Sequence, residues 1–143
     1  MSYTYSYPRP AVTVDIIIIK DACADMKVLL IQRLIPPFKD KWAIPGGFVN
    51  MDETVEQAAE RELKEETGLE NVILSQFKTY SAVDRDPRGR TISVVFTGIA
   101  KKDAVAVAAD DAKDAAWYKV NNLPELAFDH QEILNEFLDN LRD

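Results

Sequence analysis

Apolar positions along this chain fall into short dense runs separated by polar punctuation. Ala11 to Lys20, AVTVDIIIIK, is rich in β-branched residues and predicts a strand buried on both faces. Lys27 to Arg33 predicts a second strand, and the turn Asp21 to Met26 lets the two form a hairpin. Pro36-Pro37 makes Ile35 to Lys41 a loop, after which Trp42 to Pro45 is a short strand feeding a Gly46-Gly47 turn. The period then changes. Val55, Ala59 and Leu63 recur at four-residue spacing, which predicts a helix from about Asp52 to Thr67, stopped by Gly68. Asn71 to Ser81 reads as a strand with Ile73 and Phe77 inward. Thr91 to Ala100 sets Ile92, Val94 and Phe96 against Ser93, Val95 and Thr97, the pattern of a half-buried strand. Between them, Asp84 to Arg90 is a polar loop with turn signals at Asp86-Pro87 and Arg88-Gly89. Asp103 to Asp114, rich in Ala and Asp, reads mostly as loop, and Ala115 to Val120 as a short strand around Trp117. Asn121 to Phe128 is a loop holding Pro124. Asp129 opens a last helix, with Glu132 completing a capping box and Ile133, Leu134, Phe137, Leu138 and Leu141 forming its apolar face. Ser2 to Pro10 is an extended arm, because Pro8 and Pro10 oppose a helix there.

Strands before the long helix, strands after it and a helix at the end predict a mixed central β-sheet covered by helices on both faces. The 143 residues suffice for one domain, 1–143, with a real core, and 47% hydrophobic residues are ordinary for a globular protein.

Charge and cysteine content narrow the function classes. The net charge of −7 makes free nucleic acid an unexpected partner, although a local basic cluster and a metal could still bind phosphates. A single cysteine, Cys23, excludes an intramolecular disulfide framework and suits a reducing cytosol; it falls in a turn and reads as incidental. The start, MSYTYSYPRP, lacks the apolar core of a signal peptide, and the longest apolar run is too short to span a membrane, so a cytoplasmic location is expected.

The chemistry concentrates between Gly47 and Leu69. At about 100° per residue, Glu62, Glu65 and Glu66 fall within a sector of roughly 100° on the predicted helix. Three carboxylates on one face repel one another, and a cation between them relieves this. Hard oxygen ligands favour Mg²⁺ or Mn²⁺ over Zn²⁺. The bland alternative is a solvated, Glu-rich helix face. Against it stand the glycine before the helix, Arg61 directly before the cluster and the abrupt Gly68 stop. Gly47, Glu53, Arg61, Glu62, Leu63, Glu65, Glu66, Gly68 and Leu69 meet every specified position of the Nudix box, which this stretch resembles.

The resemblance implies an α/β/α sandwich in which the box is a loop–helix–loop beside the sheet. It implies hydrolysis of the pyrophosphate bond of a nucleoside diphosphate joined to another moiety, with Mg²⁺ or Mn²⁺ as cofactor. By the same resemblance Glu62 and Glu66, then Glu65, are the metal ligands, and the carbonyl of Gly47 is a further one. Arg61 is expected to pair with Glu53 or Glu65 and aim a carboxylate. The general base is a box glutamate or a carboxylate from a later loop, with Asp84, Asp86, Asp110 and Asp111 as candidates.

Substrate contacts are expected from the arginine loop. Arg85, Arg88 and Arg90 match the fork geometry of phosphate recognition, and the alternative is a hairpin tip held by its own Asp–Arg pairs. Arg33 is a further candidate for that role, with a plain surface charge as its alternative. Among the aromatics Phe38, Trp42 and Tyr80, core packing is the default, and Phe38 is the exception because it sits among Pro36, Pro37 and Lys39. His130, at a helix N-terminus, either has a structural role or faces an anion.

Beyond the box, the run from PRPAVTVD through DRDPRGRTISVVF to LAFDH resembles the ADP-ribose pyrophosphatase branch, and also the ligand-sensing domain of certain NAD-metabolism regulators. Those regulators carry a C-terminal winged helix, and this chain stops at Asp143, so DNA binding is not expected. ADP-ribose is the expected substrate. The alternatives are a housecleaning hydrolase of nucleoside triphosphates and a non-catalytic ADP-ribose sensor. A homodimer is compatible with the resemblance.

Overall fold

A computed structural model describes residues 2–22, 25–108 and 112–142. Cys23 and the base candidates Asp110 and Asp111 lie outside the described residues. The chain runs β1 (Ala11–Lys20), β2 (Lys27–Arg33), β3 (Trp42–Ala43), β4 (Gly46–Phe48), α1 (Val55–Thr67), β5 (Ser75–Tyr80), β6 (Thr91–Ile99), β7 (Ala112–Lys119) and α2 (His130–Leu141). One mixed sheet has the order β3-β2-β1-β6-β5, with β4 also on β1 and β7 also on β2.

The alternation along β1 explains the layering. Ile17 and Ile19 pack with Val28, Leu30 and Val95 under Ile133, Leu134 and Phe137 of α2. Val14, Ile16 and Ile18 point the other way and pack with Leu29 and Phe96 under Ala58, Ala59 and Leu63 of α1. A period of two thus assigns one core to each face, and the result is the expected α/β/α sandwich.

The strands depart from expectation in five places. The β1–β2 hairpin is confined to Ile19↔Val28 and Lys20↔Lys27, because β4 occupies the same edge of β1 nearer its start. Gly46 and Gly47 are not a turn; they are strand, with Val14 opposite Gly47 and Asp15 opposite Gly46. Thr91–Ile99 is no half-buried strand. It lies between β1 and β5 with both faces covered, and Ser93 is fully buried. Ile73 was expected inward but is 87% exposed, since β5 begins only at Ser75, after Asn71 in a left-handed conformation (φ 61°). The last strand is longer than the apolar signal around Trp117, because pairing with β2 continues through Ala115, Asp114 and Ala112.

The helix starts differ too. The true start of α1 is Val55, after Thr54: the Thr54 hydroxyl accepts from Gln57 N–H at 3.1 Å and Gln57 accepts from Thr54 N–H at 2.9 Å. Gly68 (φ 76°) ends the helix as expected. Asp129 stands at the N-cap of α2 but makes no side-chain cap, and the capping box with Glu132 does not form. Its carboxylate is taken by Arg85. Among the described residues no helix is long and apolar enough to cross a membrane.

Candidate functional site

Two glycines seat the box helix against the sheet. A Cβ on Gly46 would lie 2.2 Å from Val14 O and 2.4 Å from an Asp15 oxygen, and one on Gly47 would lie 2.4 Å from Glu62 Oε1. Only glycine permits this approach. Gly46 N–H donates to Glu66 Oε1 at 2.7 Å, and Glu66 is 8% exposed.

Arg61 gathers the remaining box carboxylates. It donates to both oxygens of Glu53, to Glu62 Oε1 at 2.7 Å, to Glu65 Oε2 at 3.1 Å and to Phe48 O at 3.1 Å. The pairing expected with Glu53 or Glu65 is therefore made with both, and with Glu62 besides. Hydrogen bonds from Arg61 hold the Glu53 carboxyl below its usual range. Burial pushes Glu62 above its own, against the pull of Arg61.

Among the described residues no three acidic, histidine or cysteine side chains already converge on one point. Glu62 and Glu65 turn to Arg61, and Glu66 to Gly46. The donor set nonetheless fits a hard divalent cation. It offers carboxylate oxygens on one helix face, beside a main chain that Gly47 leaves open where any Cβ would strike Glu62. A cation there competes with Arg61 for the same oxygens.

Across from the box lies a cleft of about 70 Å³ that brings Gly46, Gly47 and Glu66 together with Arg33, Arg88 and Phe128. Arg88 spans it, with its guanidinium 4.8 Å from the Phe48 ring centre and 5.0 Å from that of Phe128. Arg33 lies 4.9 Å from the Phe128 ring centre and donates to Pro37 O at 2.7 Å, which ties down the proline loop. Burial and the like charge of Arg88 lower its pKa. Phe38 packs edge-on against Phe128, with ring centres 4.8 Å apart. Phe38 (φ 61°) and Phe128 (φ 52°) both hold left-handed backbone, a strain that clusters at functional sites. A larger cavity of about 690 Å³ opens between Gly98, Lys101, Val72 and Phe137. No box carboxylate lines it, whereas Glu66 lines the smaller cleft.

The arginine loop divides. The Arg85 side chain is 4% exposed and donates to both oxygens of Asp129, each at 2.8 Å, with Asp15 at 4.0 Å. Arg88 makes a two-pronged pair with the buried Asp86 yet stays 36% exposed at the cleft. On its own, burial would raise Asp86; the Arg88 hydrogen bonds bring its carboxyl below the usual range. Arg90 is exposed, reaching only Ala82 O at 3.5 Å, and Asp84 is exposed outside the cleft. Trp42 and Tyr80 pack in the core, as the default for aromatics holds.

Asp15, Ser93, Phe48 and Phe128 were not singled out from the sequence. Asp15 had a signal: it is the one acidic residue inside the apolar run of β1, and it accepts from the Ser93 hydroxyl in the interior. Phe128 lies in the LAFDH run, but nothing local in the sequence marks it or Phe48, because their place comes from a cleft assembled by elements far apart in the chain.

A family model described as the NUDIX domain matches residues 9–141. The ADP-ribose pyrophosphatase of Methanocaldococcus jannaschii is 50% identical, over 92% of this chain and 75% of that protein. The NUDIX domain of Shewanella oneidensis NrtR, crystallised with ADP ribose, superposes with a TM-score of 0.87 at 29% identity, over 95% of this chain and 91% of that one. A bifunctional NMN adenylyltransferase/ADP ribose pyrophosphatase from Francisella tularensis, complexed with AMP and a manganese ion, gives a TM-score of 0.79 at 35% identity; this chain covers 43% of it.

Proposed function

The chain belongs to the NUDIX family, and we propose that it hydrolyses ADP-ribose to AMP and ribose 5-phosphate with Mg²⁺ or Mn²⁺ as cofactor. The observation that carries this reading is the meeting of the two halves of the site. Gly46, Gly47 and Glu66 share one cleft with Arg33 and Arg88. One carboxylate of the cation-binding set, Glu66, thus shares the cleft with guanidinium groups for phosphates. The relatives that act on or bind ADP-ribose support the choice of substrate.

Glu62, Glu65, Glu66 and the Gly47 carbonyl would hold the metal. Bound there, it would neutralise phosphate oxygens and lower the pKa of water. The oxygen of water adds to one phosphorus, the bridging P–O bond breaks, and the bridging oxygen leaves on the other phosphate. Arg61 aims Glu62 and Glu65 by hydrogen bonds to both. Arg88 and Arg33 bind the phosphates or ribose, and the apolar faces of Phe38, Phe48 and Phe128 lie beside them. Arg85 also lines the cleft, but its guanidinium is committed to Asp129, so its part is to hold the cleft together rather than to grip phosphate. With a net charge of −7, nucleic acid is no partner in this reading.

Two measurements test it. Products of ADP-ribose turnover should resolve chromatographically as AMP and ribose 5-phosphate in equal amounts. Arg88→Ala should raise KM by roughly tenfold or more, as expected for a lost charge-assisted hydrogen bond. Arg88→Lys should lie between, because it keeps the charge that neutralises Asp86 but loses the fork. Wild-type kinetics in both variants would reduce the loop to a self-paired hairpin tip.

A further inference from the structure

We propose that His130 is a positioning residue that sets the Ile44–Gly47 segment, and with it the Gly47 carbonyl, from the face of the sheet opposite the box helix. The inference rests on Gly47 as a metal ligand.

Each of the four residues in that segment is held by a different contact. Ile44 N–H donates to His130 Nδ1 at 3.0 Å. Pro45 O accepts from Ile16 N–H at 2.8 Å. Gly46 N–H donates to Glu66 at 2.7 Å, and Gly47 pairs with Val14. Ile44 lies between β3 and β4, outside both ladders, and is 2% exposed. The His130 ring therefore answers a buried donor that would be costly to leave unmet.

That bond also decides the tautomer. An Nδ1 that accepts carries no proton, so the proton of the neutral ring sits on Nε2. Nε2 faces Asp15 Oδ1 at 3.6 Å, and Asp15 is anchored by Ser93 and lies directly against Gly46. Burial favours the neutral ring. One side of the imidazole thus fixes Ile44, and the other faces the carboxylate beneath Gly46. His130 lines the cleft, but it is only 4% exposed and its Nδ1 is taken by Ile44 N–H. Its influence passes through the main chain.

Asparagine and glutamine separate the two sides of the ring. His130→Asn places an amide oxygen where Nδ1 sits and keeps the bond to Ile44. His130→Gln reaches the Nε2 position and leaves Ile44 N–H unmet. Mn²⁺ affinity is read by electron paramagnetic resonance without nucleotide, alongside kinetics and thermal melts. His130→Asn should bind Mn²⁺ within about twofold of wild type, while His130→Gln should bind roughly tenfold more weakly, with lower kcat and unchanged KM. A purely structural histidine would lower the melting temperature in both variants without separating their Mn²⁺ affinities, and that result overturns the proposal. Failure of the wild type to bind Mn²⁺ sinks the metal reading and this inference with it. Wild-type binding with equal variants sinks this inference alone. Nitrogen chemical shifts of the His130 ring in the wild type test the same point without a variant: Nε2–H is expected, and Nδ1–H overturns it.

Discussion

Glu66→Gln lowers turnover by roughly a hundredfold or more, while the melting temperature stays within a few degrees of wild type or rises. The substitution separates two jobs of one side chain. Glutamine keeps an oxygen to accept from Gly46 N–H, so the segment seated on the box helix keeps its place. It removes one of three negative charges on the face shared with Glu62 and Glu65, which relieves like-charge repulsion. What is lost is an anionic ligand for the cation. Steady-state kinetics at saturating Mg²⁺, with a thermal melt on the same preparation, checks both halves. Near-normal turnover would count against Glu66 as a ligand. Lost activity together with a collapsed melt would make the residue structural.

Arg85→Ala should destabilise the fold by about 3–5 kcal/mol, the usual cost of stripping a buried carboxylate of its cation. For a chain of this size that lowers the melting temperature by on the order of 10 °C. Arg85 is nearly fully buried, grips Asp129 with two prongs and faces Asp15. Its loss leaves two carboxylates in the interior without the charge between them. Arg85→Lys should recover only part of this, since an ammonium cannot reproduce the fork. Denaturant titration measures the difference. A variant as stable as wild type but with raised KM would return Arg85 to substrate binding, the role its place in DRDPRGR suggested.

These two residues show where the sequence is legible. The box was readable because most of its residues lie on or beside one helix, where spacing decides which side chains share a face. The three-layer fold was readable for a similar reason: alternation along β1 and the four-residue spacing on α1 each name a buried face. The arginine loop was not. Arg85 and Arg88 are three positions apart, in the same polar company, and nothing local says that one is buried by Asp129, 44 residues away, while the other stays at the cleft. Gly46 and Gly47 misled in the same way. A glycine pair reads as a turn, but here each glycine is required by close approach to another element, Asp15 for one and Glu62 for the other. The missed capping box on α2 has the same origin, because Asp129 spends its carboxylate on Arg85. Long-range pairing overrode each local signal.

The choice of ADP-ribose as substrate is tested by comparing kcat/KM for ADP-ribose with that for the deoxynucleoside triphosphates under one Mg²⁺ condition. Arg33, Phe48, Arg88 and Phe128, drawn from four separate stretches of the chain, suit an elongated ligand with two ends better than a single tight base pocket with exposed phosphates. A clear preference for ADP-ribose is expected, with AMP and ribose 5-phosphate as products. Equal or better kcat/KM on any triphosphate, with release of pyrophosphate and a nucleoside monophosphate, would contradict it, as would tight ADP-ribose binding without AMP release by protein shown to contain metal.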